Sequence, residues 1–203
     1  RIMGNIFYSL GVLPSNRLLE VTRKDLVEGY VGQTATKTAR VVKRAVGGVF
    51  FIDEAYSLMG DNFGQEATNT ILPMLLDYKG KMVCIAAGYP REIRQWIDTN
   101  SGLESRFTKV IHFEDYNPDE LAQIFRMKAK KDKLTLTPEA ENAMRVYFTD
   151  LYNRRERNFA NAREVNNYFD RVKKNQSSRL RHEMERPDFD PASYSILLPE
   201  DMG

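Results

Sequence analysis

The sequence VFFIDEAY at positions 49–56 places four consecutive apolar residues directly before the acidic pair Asp53-Glu54. An apolar run of this kind, without alternation, is typical of a central parallel strand that is covered on both faces. Ligands of open parallel sheets bind beyond the carboxyl ends of the strands. The pattern therefore predicts that Asp53 and Glu54 lie at a ligand-binding edge. The alternative, that the two acids only end a strand and cap the next helix, stays open at this point.

Strand and helix signals alternate on both sides of this segment. The predicted strands are 17–22, 49–52, 82–87 and 109–113, and the predicted helices between them are 34–46, 65–78 and 90–98. An alternation of strands and helices predicts a parallel sheet with crossover helices.

The pattern changes near Tyr116, where helix signals follow one another without intervening strands. Asn117-Pro118 and Thr137-Pro138 each place a capping residue before a proline at the first helical position. A third helix is predicted from about Asn161 into the 180s. The fold class predicted is α/β, with a parallel-sheet core at 1–115 followed by a small all-α domain at 116–203.

The composition argues against several classes of protein and site. No run of about 18 apolar residues occurs, so no membrane span is predicted. Cys84 is the only cysteine and the chain has two histidines, which argues against a disulfide and a Cys/His metal cage and fits a reducing, cytoplasmic compartment. A net charge of +2 gives no long-range field suited to nucleic acid.

Five segments carry a resemblance to a known family. They are DLVEGYVGQTATKT (25–38), GGVFFIDEAYSL (47–58), IAAGYP (85–90), SGLESRF (101–107) and FANAREV (159–165). In this order and spacing, the chain resembles the AAA+ ATPases of the stage V sporulation protein K and red-type Rubisco activase group. The resemblance covers nearly the whole chain and is weakest after about residue 175. It implies a nucleotide-binding core followed by a helical lid domain.

The resemblance implies roles for residues around ATP and Mg²⁺. Asp53 matches the magnesium ligand and Glu54 the residue that activates the attacking water. Arg106 resembles the arginine finger that reaches the ATP of a neighbouring subunit, with a surface salt bridge to Glu104 or Asp115 as the alternative. Arg163 resembles the nucleotide-sensing arginine of the lid, or is an exposed residue at a helix start. Tyr89 stands where many AAA+ ATPases place a sensor asparagine, and it could equally be a packing residue.

The segment Tyr30-Val31-Gly32 resembles the pore loop with which these ATPases grip a polypeptide. A flat aromatic side chain on a loop made flexible by glycine can hold many sequences without specificity. The alternative is that Tyr30 packs in a turn bounded by glycines.

One expected motif is absent from the 203 residues. The phosphate-binding pattern G-x-x-x-x-G-K-[ST] does not occur, and Gly80-Lys81, which lacks the other required residues, is predicted to be a turn. In the family this loop precedes a helix that resembles the opening RIMGNIFYSLG. We therefore expect a chain truncated after the loop, lacking the first strand as well and hydrolysing ATP negligibly by itself.

The function that the resemblance implies is ATP-dependent remodelling of a protein client by a homo-oligomeric, hexameric ring. A second hypothesis is a non-hydrolysing module of the same fold, used for interaction or assembly. A third, a DNA-associated ATPase such as a clamp-loader or helicase relative, is disfavoured by the near-neutral charge and by the pore-loop aromatic.

Overall fold

A parallel sheet organises the first half of the chain. Its strands β1 (Leu18–Val21), β2 (Val49–Ile52) and β3 (Val83–Ala86) lie side by side in that order. The central strand, β2, is the apolar run quoted above, and Phe50 and Ile52 are fully buried. The predicted parallel sheet with a central buried strand is confirmed.

The computed structural model describes residues 1–30, 32–155, 159–187 and 189–203. The chain divides into two units, Arg1–His112 and Phe113–Gly203. Within the described ranges, no helix combines the length and the apolar character needed to cross a lipid bilayer.

Helices precede, separate and follow the strands of the first unit. They are α1 (Ile2–Ser9), α2 (Arg23–Leu26), α3 (Gln33–Ala45), α4 (Asn62–Asp77), α5 (Pro90–Asp98) and α6 (Ser101–Arg106). Helix α3 buries Val41, Val42 and Ala45 in the core, together with Ile71 of α4 and Trp96 of α5. The three predicted helices are thus confirmed, with shifts of up to three residues at their ends.

The predicted strand at 109–113 is wrong. These residues carry no regular secondary structure, and the side chains of Val110, Ile111 and Phe113 are 86%, 68% and 86% exposed. A strand requires a neighbour for its backbone hydrogen bonds, and no described strand pairs with this segment. An apolar run is therefore insufficient evidence for a strand.

The second unit is built on the helices α7 (Pro118–Lys131), α8 (Pro138–Asn153) and α9 (Ala162–Glu183). The predicted caps are confirmed: the Asn117 side chain accepts the Glu120 N–H at 3.0 Å, and the Thr137 hydroxyl accepts the Ala140 N–H at 3.2 Å. The unit is not purely helical, because β4 (Thr135–Leu136) and β5 (Ile196–Leu197) form a short parallel pair. Strands of two residues are too short to leave a periodic signal.

A buried ion pair fastens the end of the chain to α9. Asp201 is 1% exposed. It accepts two hydrogen bonds from Arg179, at 2.9 Å from Nε and 3.0 Å from Nη2, and one from the Leu198 N–H at 2.9 Å. Hydrogen bonding to Asp201 is the largest of the effects that raise the pKa of Arg179. The pair is therefore fully hydrogen bonded, which is the condition under which a buried charge is tolerated.

Replacing Asp201 with alanine is expected to destabilise the second unit by about 3 kcal/mol, because the change removes the most buried partner of Arg179, which keeps Glu183 at 3.0 Å, and the acceptor of the Leu198 N–H. Native-state hydrogen exchange of the α9 amides measures the loss of opening free energy. Asp170→Ala is the matched control: Asp170 is 72% exposed and, among the described residues, its one ion pair is a 3.8 Å contact with Lys173, so its removal should change stability by about 0.5 kcal/mol or less. Equal protection of α9 in the two variants would contradict a stabilising role for the pair.

Candidate functional site

The predicted acidic pair lies at the carboxyl ends of the strands, at one edge of the sheet. The Asp53 N–H donates to the Val21 carbonyl at 2.8 Å, and the Ala55 N–H donates to the Ala87 carbonyl at 3.0 Å. Hydrogen bonds between neighbouring strands therefore continue past the end of β2. They place Asp53 and Glu54 beside the segment that follows β3, at the carboxyl end of β2 as the apolar run predicted, while ligand binding there stays a prediction.

Glu54 has an unusual backbone conformation. Its φ and ψ angles are 50° and 47°, in the left-handed region that residues other than glycine seldom occupy. A short 3₁₀ helix, Ala55–Leu58, follows at once, and the burial of Ala55 and Leu58 holds the chain in this turn. Such strain often accompanies functional sites. Among the described residues the Glu54 side chain makes no capping hydrogen bond to the short helix, and it is exposed at the edge of the sheet. This argues against the alternative of a mere helix cap.

Asp53 is half-buried, and its Oδ1 accepts the N–H of Glu54 at 3.1 Å. The described residues contain no group of three or more His, Cys, Asp and Glu side chains that could hold a metal by themselves. Magnesium ions in nucleotide sites take one or two carboxylates and complete their shell with water and phosphate oxygens. The single carboxylate of Asp53 fits that mode of binding, shared with a nucleotide.

Tyr89 follows β3 at the same edge and is 38% exposed. Its ring lies 6.3 Å from that of Tyr56, centroid to centroid. Gly88, which precedes Tyr89 in the chain, leaves room for the Tyr56 ring, because a Cβ at position 88 would lie 2.7 Å from a ring carbon. Tyr89 therefore has an aromatic neighbour and an exposed portion, and its sensor role stays a prediction.

Tyr56 lies in the turn beside Glu54, and the sequence analysis did not single it out. Burial is the first cause that raises the pKa of its hydroxyl, and the charge and hydrogen bonding of Glu54 come next. The available signal was its position two residues after Glu54, in the turn that ends β2.

Arg106 is the last residue of α6 and is half-buried. Its Nη1 contacts the Ser105 hydroxyl, and its buried Nε has no hydrogen-bond partner among the described residues. Among the described residues, Arg106 forms no ion pair with Glu104. Arg106 is therefore held by local contacts only, and its role as an arginine finger stays a prediction.

Tyr30 is 74% exposed, which contradicts the alternative that it packs within its turn. Gly32 has a φ of 81° and precedes α3, so the chain there requires the left-handed conformation that glycine favours. Val31, the middle residue of the predicted pore loop, lies outside the described residues.

The base of the Tyr30 loop is tied to α3. The Thr34 hydroxyl accepts the Glu28 N–H at 3.0 Å. Lys37 Nζ donates to the carbonyls of Lys24 and Val27 at 2.9 and 3.0 Å. An exposed aromatic side chain thus stands beside a well-anchored segment.

Arg163, the predicted nucleotide sensor, belongs to the second unit. It lies in the first turn of α9, its side chain is exposed, and its N–H donates to the Ala160 carbonyl at 2.9 Å. Its role stays a prediction.

Two family models match the chain. Residues 5–115 match the ATPase family associated with various cellular activities (AAA), and residues 117–203 match the AAA lid domain.

Individual relatives agree with these matches. Protein CbbX of Cereibacter sphaeroides is 38% identical over 98% of this chain, which spans 65% of that protein. The chloroplastic ribulose bisphosphate carboxylase/oxygenase activase of Cyanidioschyzon merolae is 40% identical over 89% of this chain, which spans 62% of that protein. In fold, the crystal structure of the FIGL-1 AAA domain matches 90% of this chain and 59% of its own, with a TM-score of 0.63 at 16% identity.

Proposed function

The chain belongs to the ATPase family associated with various cellular activities, and from that membership we propose that it is the motor part of an ATP-driven protein-remodelling ring. The observation that carries this proposal is the pair Asp53 and Glu54 at the carboxyl end of β2. Parallel sheets bind their ligands at this edge.

Each residue at the edge has a part in the proposed ATP hydrolysis. Glu54 is exposed there, so its carboxylate can orient the attacking water and accept its proton. Asp53 contributes a carboxylate oxygen to a hydrated magnesium ion. When bound, Mg²⁺ neutralises the charge that develops on the phosphate oxygens. Arg106, supplied by the adjacent subunit, stabilises the charge on the transferred phosphoryl group, while Tyr89 and Arg163 contact the nucleotide.

The 203 residues contain no G-x-x-x-x-G-K-[ST] pattern, so the backbone amides and the lysine that cradle phosphates are absent from them. We propose that this chain by itself turns over ATP at a negligible rate. The activity would then belong to a protein in which the same residues follow a phosphate-binding loop, referred to below as the loop-bearing protein.

The proposed client is a protein, which Tyr30 contacts in the central channel of a hexameric ring. The exposed tyrosine beside an anchored segment supports this proposal, since a grip on a moving polypeptide needs both. One relative is named as an activase of ribulose bisphosphate carboxylase/oxygenase, which supports a protein rather than a nucleic acid as the client.

Substitution of Tyr30 by alanine in the loop-bearing protein is expected to leave basal ATP turnover within about twofold, because Tyr30 is assigned to the client and not to the nucleotide. The stimulation of turnover by a polypeptide should fall about tenfold, as expected when an aromatic anchor is truncated. The measurement is ATPase activity with and without unfolded, fluorescein-labelled casein, and the anisotropy of the label reports its binding.

Tyr194→Ala is the matched control, because Tyr194 is an exposed tyrosine of the second unit, 47% accessible. It should retain casein stimulation, and Tyr30→Phe should retain most of it. Full stimulation of the Tyr30→Ala protein would refute the pore-loop role.

A second candidate function is a non-hydrolysing module of the same fold that acts in interaction or assembly. The absence of the phosphate-binding pattern from these 203 residues counts for the module only if the whole natural protein also lacks the pattern. ATP turnover by the loop-bearing protein would decide for the motor, and its absence there would decide for the module.

A further inference from the structure

The side chain of Arg23 is held by several contacts, and none of the roles above uses it. Arg23 is the first residue of α2, and its side chain is 30% exposed. Its Nη1 donates to the Ser57 carbonyl at 2.9 Å, and its Nη2 donates to Asp61 Oδ2 at 2.6 Å. Gly64 leaves room for the guanidinium, because a Cβ at position 64 would lie 2.7 Å from Nη1. The guanidinium is therefore closely confined as well as hydrogen bonded.

The Ser57 carbonyl belongs to the turn that carries Glu54. Ser57 lies in the short helix Ala55–Leu58, and its N–H donates to the Glu54 carbonyl at 2.7 Å. Arg23 thus joins α2 to the backbone that bears the Glu54 carboxylate. Hydrogen bonds from a charged donor are stronger than those between neutral groups. A movement of this turn therefore acts directly on Arg23.

The other end of α2 leads into the Tyr30 loop. Val27 ends the helix, and its N–H donates to the Arg23 carbonyl at 2.9 Å. The next N–H, that of Glu28, donates to the Thr34 hydroxyl at 3.0 Å. Tyr30 follows two residues later and is 74% exposed. A continuous series of hydrogen bonds and a short helix therefore connect the turn described above with the loop that presents Tyr30.

The contacts of Arg23 differ from those of an ordinary surface ion pair. Arg94 and Asp98, for example, lie four residues apart in α5, with side chains 69% and 56% exposed. The two acceptors of Arg23 are instead 34 and 38 residues away in sequence. Energetic coupling between sites is carried by hydrogen-bond networks and rigid secondary structure. Arg23 belongs to such a network, whereas an ion pair within one helix does not.

We propose that Arg23 is a positioning residue that couples ATP hydrolysis to the grip on a polypeptide client, by tying the Glu54 turn to the Tyr30 loop. A shift of the Glu54 turn with the state of the nucleotide is passed through Arg23 to α2, and from α2 to the loop. The inference rests on the proposed function, because it connects the roles assigned there to Glu54 and Tyr30. Without the Arg23 side chain, both sites remain intact but no longer respond to each other.

The test is Arg23→Gln in the loop-bearing protein, which removes the guanidinium and keeps much of the side chain's length. Because Glu54 and Tyr30 are unchanged, we expect basal ATP turnover and the Kd for fluorescein-labelled casein to stay within about threefold. The stimulation of turnover by casein should fall about tenfold, the size of a lost hydrogen bond to a charged group. Retained binding with lost stimulation is the result expected of a broken link, since general damage to the fold would lower both.

Arg126→Gln is the matched control, because the Arg126 side chain is 36% exposed and pairs with Glu141 inside the second unit. It should keep full stimulation. Asp61→Asn tests the inference even where Arg23→Gln does not fold, since an amide oxygen can still accept the Gly64 N–H and cap α4. Loss of the charged partner of Arg23 should lower stimulation about threefold. Stimulation equal to that of the parent protein in either the Arg23 or the Asp61 variant overturns the inference.

A second background tests whether the link ends at Tyr30. In a Tyr30→Ala protein the grip is already lost, so adding Arg23→Gln should change the residual stimulation by less than about twofold. An equal loss in both backgrounds would show that Arg23 acts independently of Tyr30, and the inference would be wrong. It is also wrong if the casein Kd of Arg23→Gln rises in step with the loss of stimulation, because that pattern indicates damage to the grip itself.

The two proposals fail in different ways. If the parent loop-bearing protein has no ATP turnover, or if casein does not stimulate its turnover, the proposed function fails and this inference fails with it. If the parent hydrolyses ATP and responds to casein, and Arg23→Gln responds equally well, the inference alone is wrong.

Discussion

Replacement of Arg106 by alanine is expected to reduce ATP turnover by the loop-bearing protein by about 10³-fold or more, the contribution typical of an arginine that stabilises the charge of a transferred phosphoryl group. The local structure suits that role. Leu103 anchors α6 in the core, and the Phe107 ring packs 5.5 Å from that of Trp96, so the residues on both sides of Arg106 are fixed. Its guanidinium has only the Ser105 contact among the described residues and can exchange it for a phosphate.

Mixing two inactive variants tests whether Arg106 acts across a subunit boundary. In a mixed ring, Glu54 of an Arg106→Ala subunit can face Arg106 of a Glu54→Gln subunit, which completes one active site. Turnover should therefore reappear on mixing. If mixing restores nothing, Arg106 does not work in the neighbour's site. Arg94→Ala is the control, since Arg94 is an exposed arginine whose closest partner is Asp98, at 3.2 Å, and its loss should change turnover by less than about twofold.

Replacement of Glu54 by glutamine is expected to lower kcat about 10²–10⁴-fold, the usual contribution of a general base. The amide keeps the size of the side chain but cannot accept the proton of the attacking water. The Kd for ATP should stay within a few-fold, because Glu54 is assigned to the water and not to the nucleotide. Single-turnover hydrolysis together with fluorescent-nucleotide binding separates the two constants.

The matched control is Glu104→Gln, since Glu104 is an exposed glutamate of α6 and its amide variant should keep normal turnover. Normal turnover of the Glu54→Gln protein would remove Glu54 from the mechanism. It would leave the fold assignment intact, because that assignment rests on the sheet and on the family match.

The sequence predicted the parts of the fold that a local pattern determines. Helix α5 occupies Pro90–Asp98 as predicted, since a proline start and helical spacing both mark it. The apolar run of β2 predicted the position of Asp53, because ligands of a parallel sheet bind beyond the carboxyl ends of its buried strands.

The failures concern contacts between residues that are distant in sequence. Residues 109–113 have the composition of a strand but no described partner, and pairing is not a property of a single segment. Tyr56 went unnoticed because its confinement depends on Gly88, in a different loop.

The positive φ of Glu54 has a consequence for how this protein can vary. Glycine would relax the backbone there, and asparagine tolerates the left-handed region better than most residues. Neither supplies the carboxylate that the proposed chemistry requires. Selection for a more stable fold and selection for faster hydrolysis therefore favour different amino acids at position 54, a trade-off between stability and activity confined to one residue.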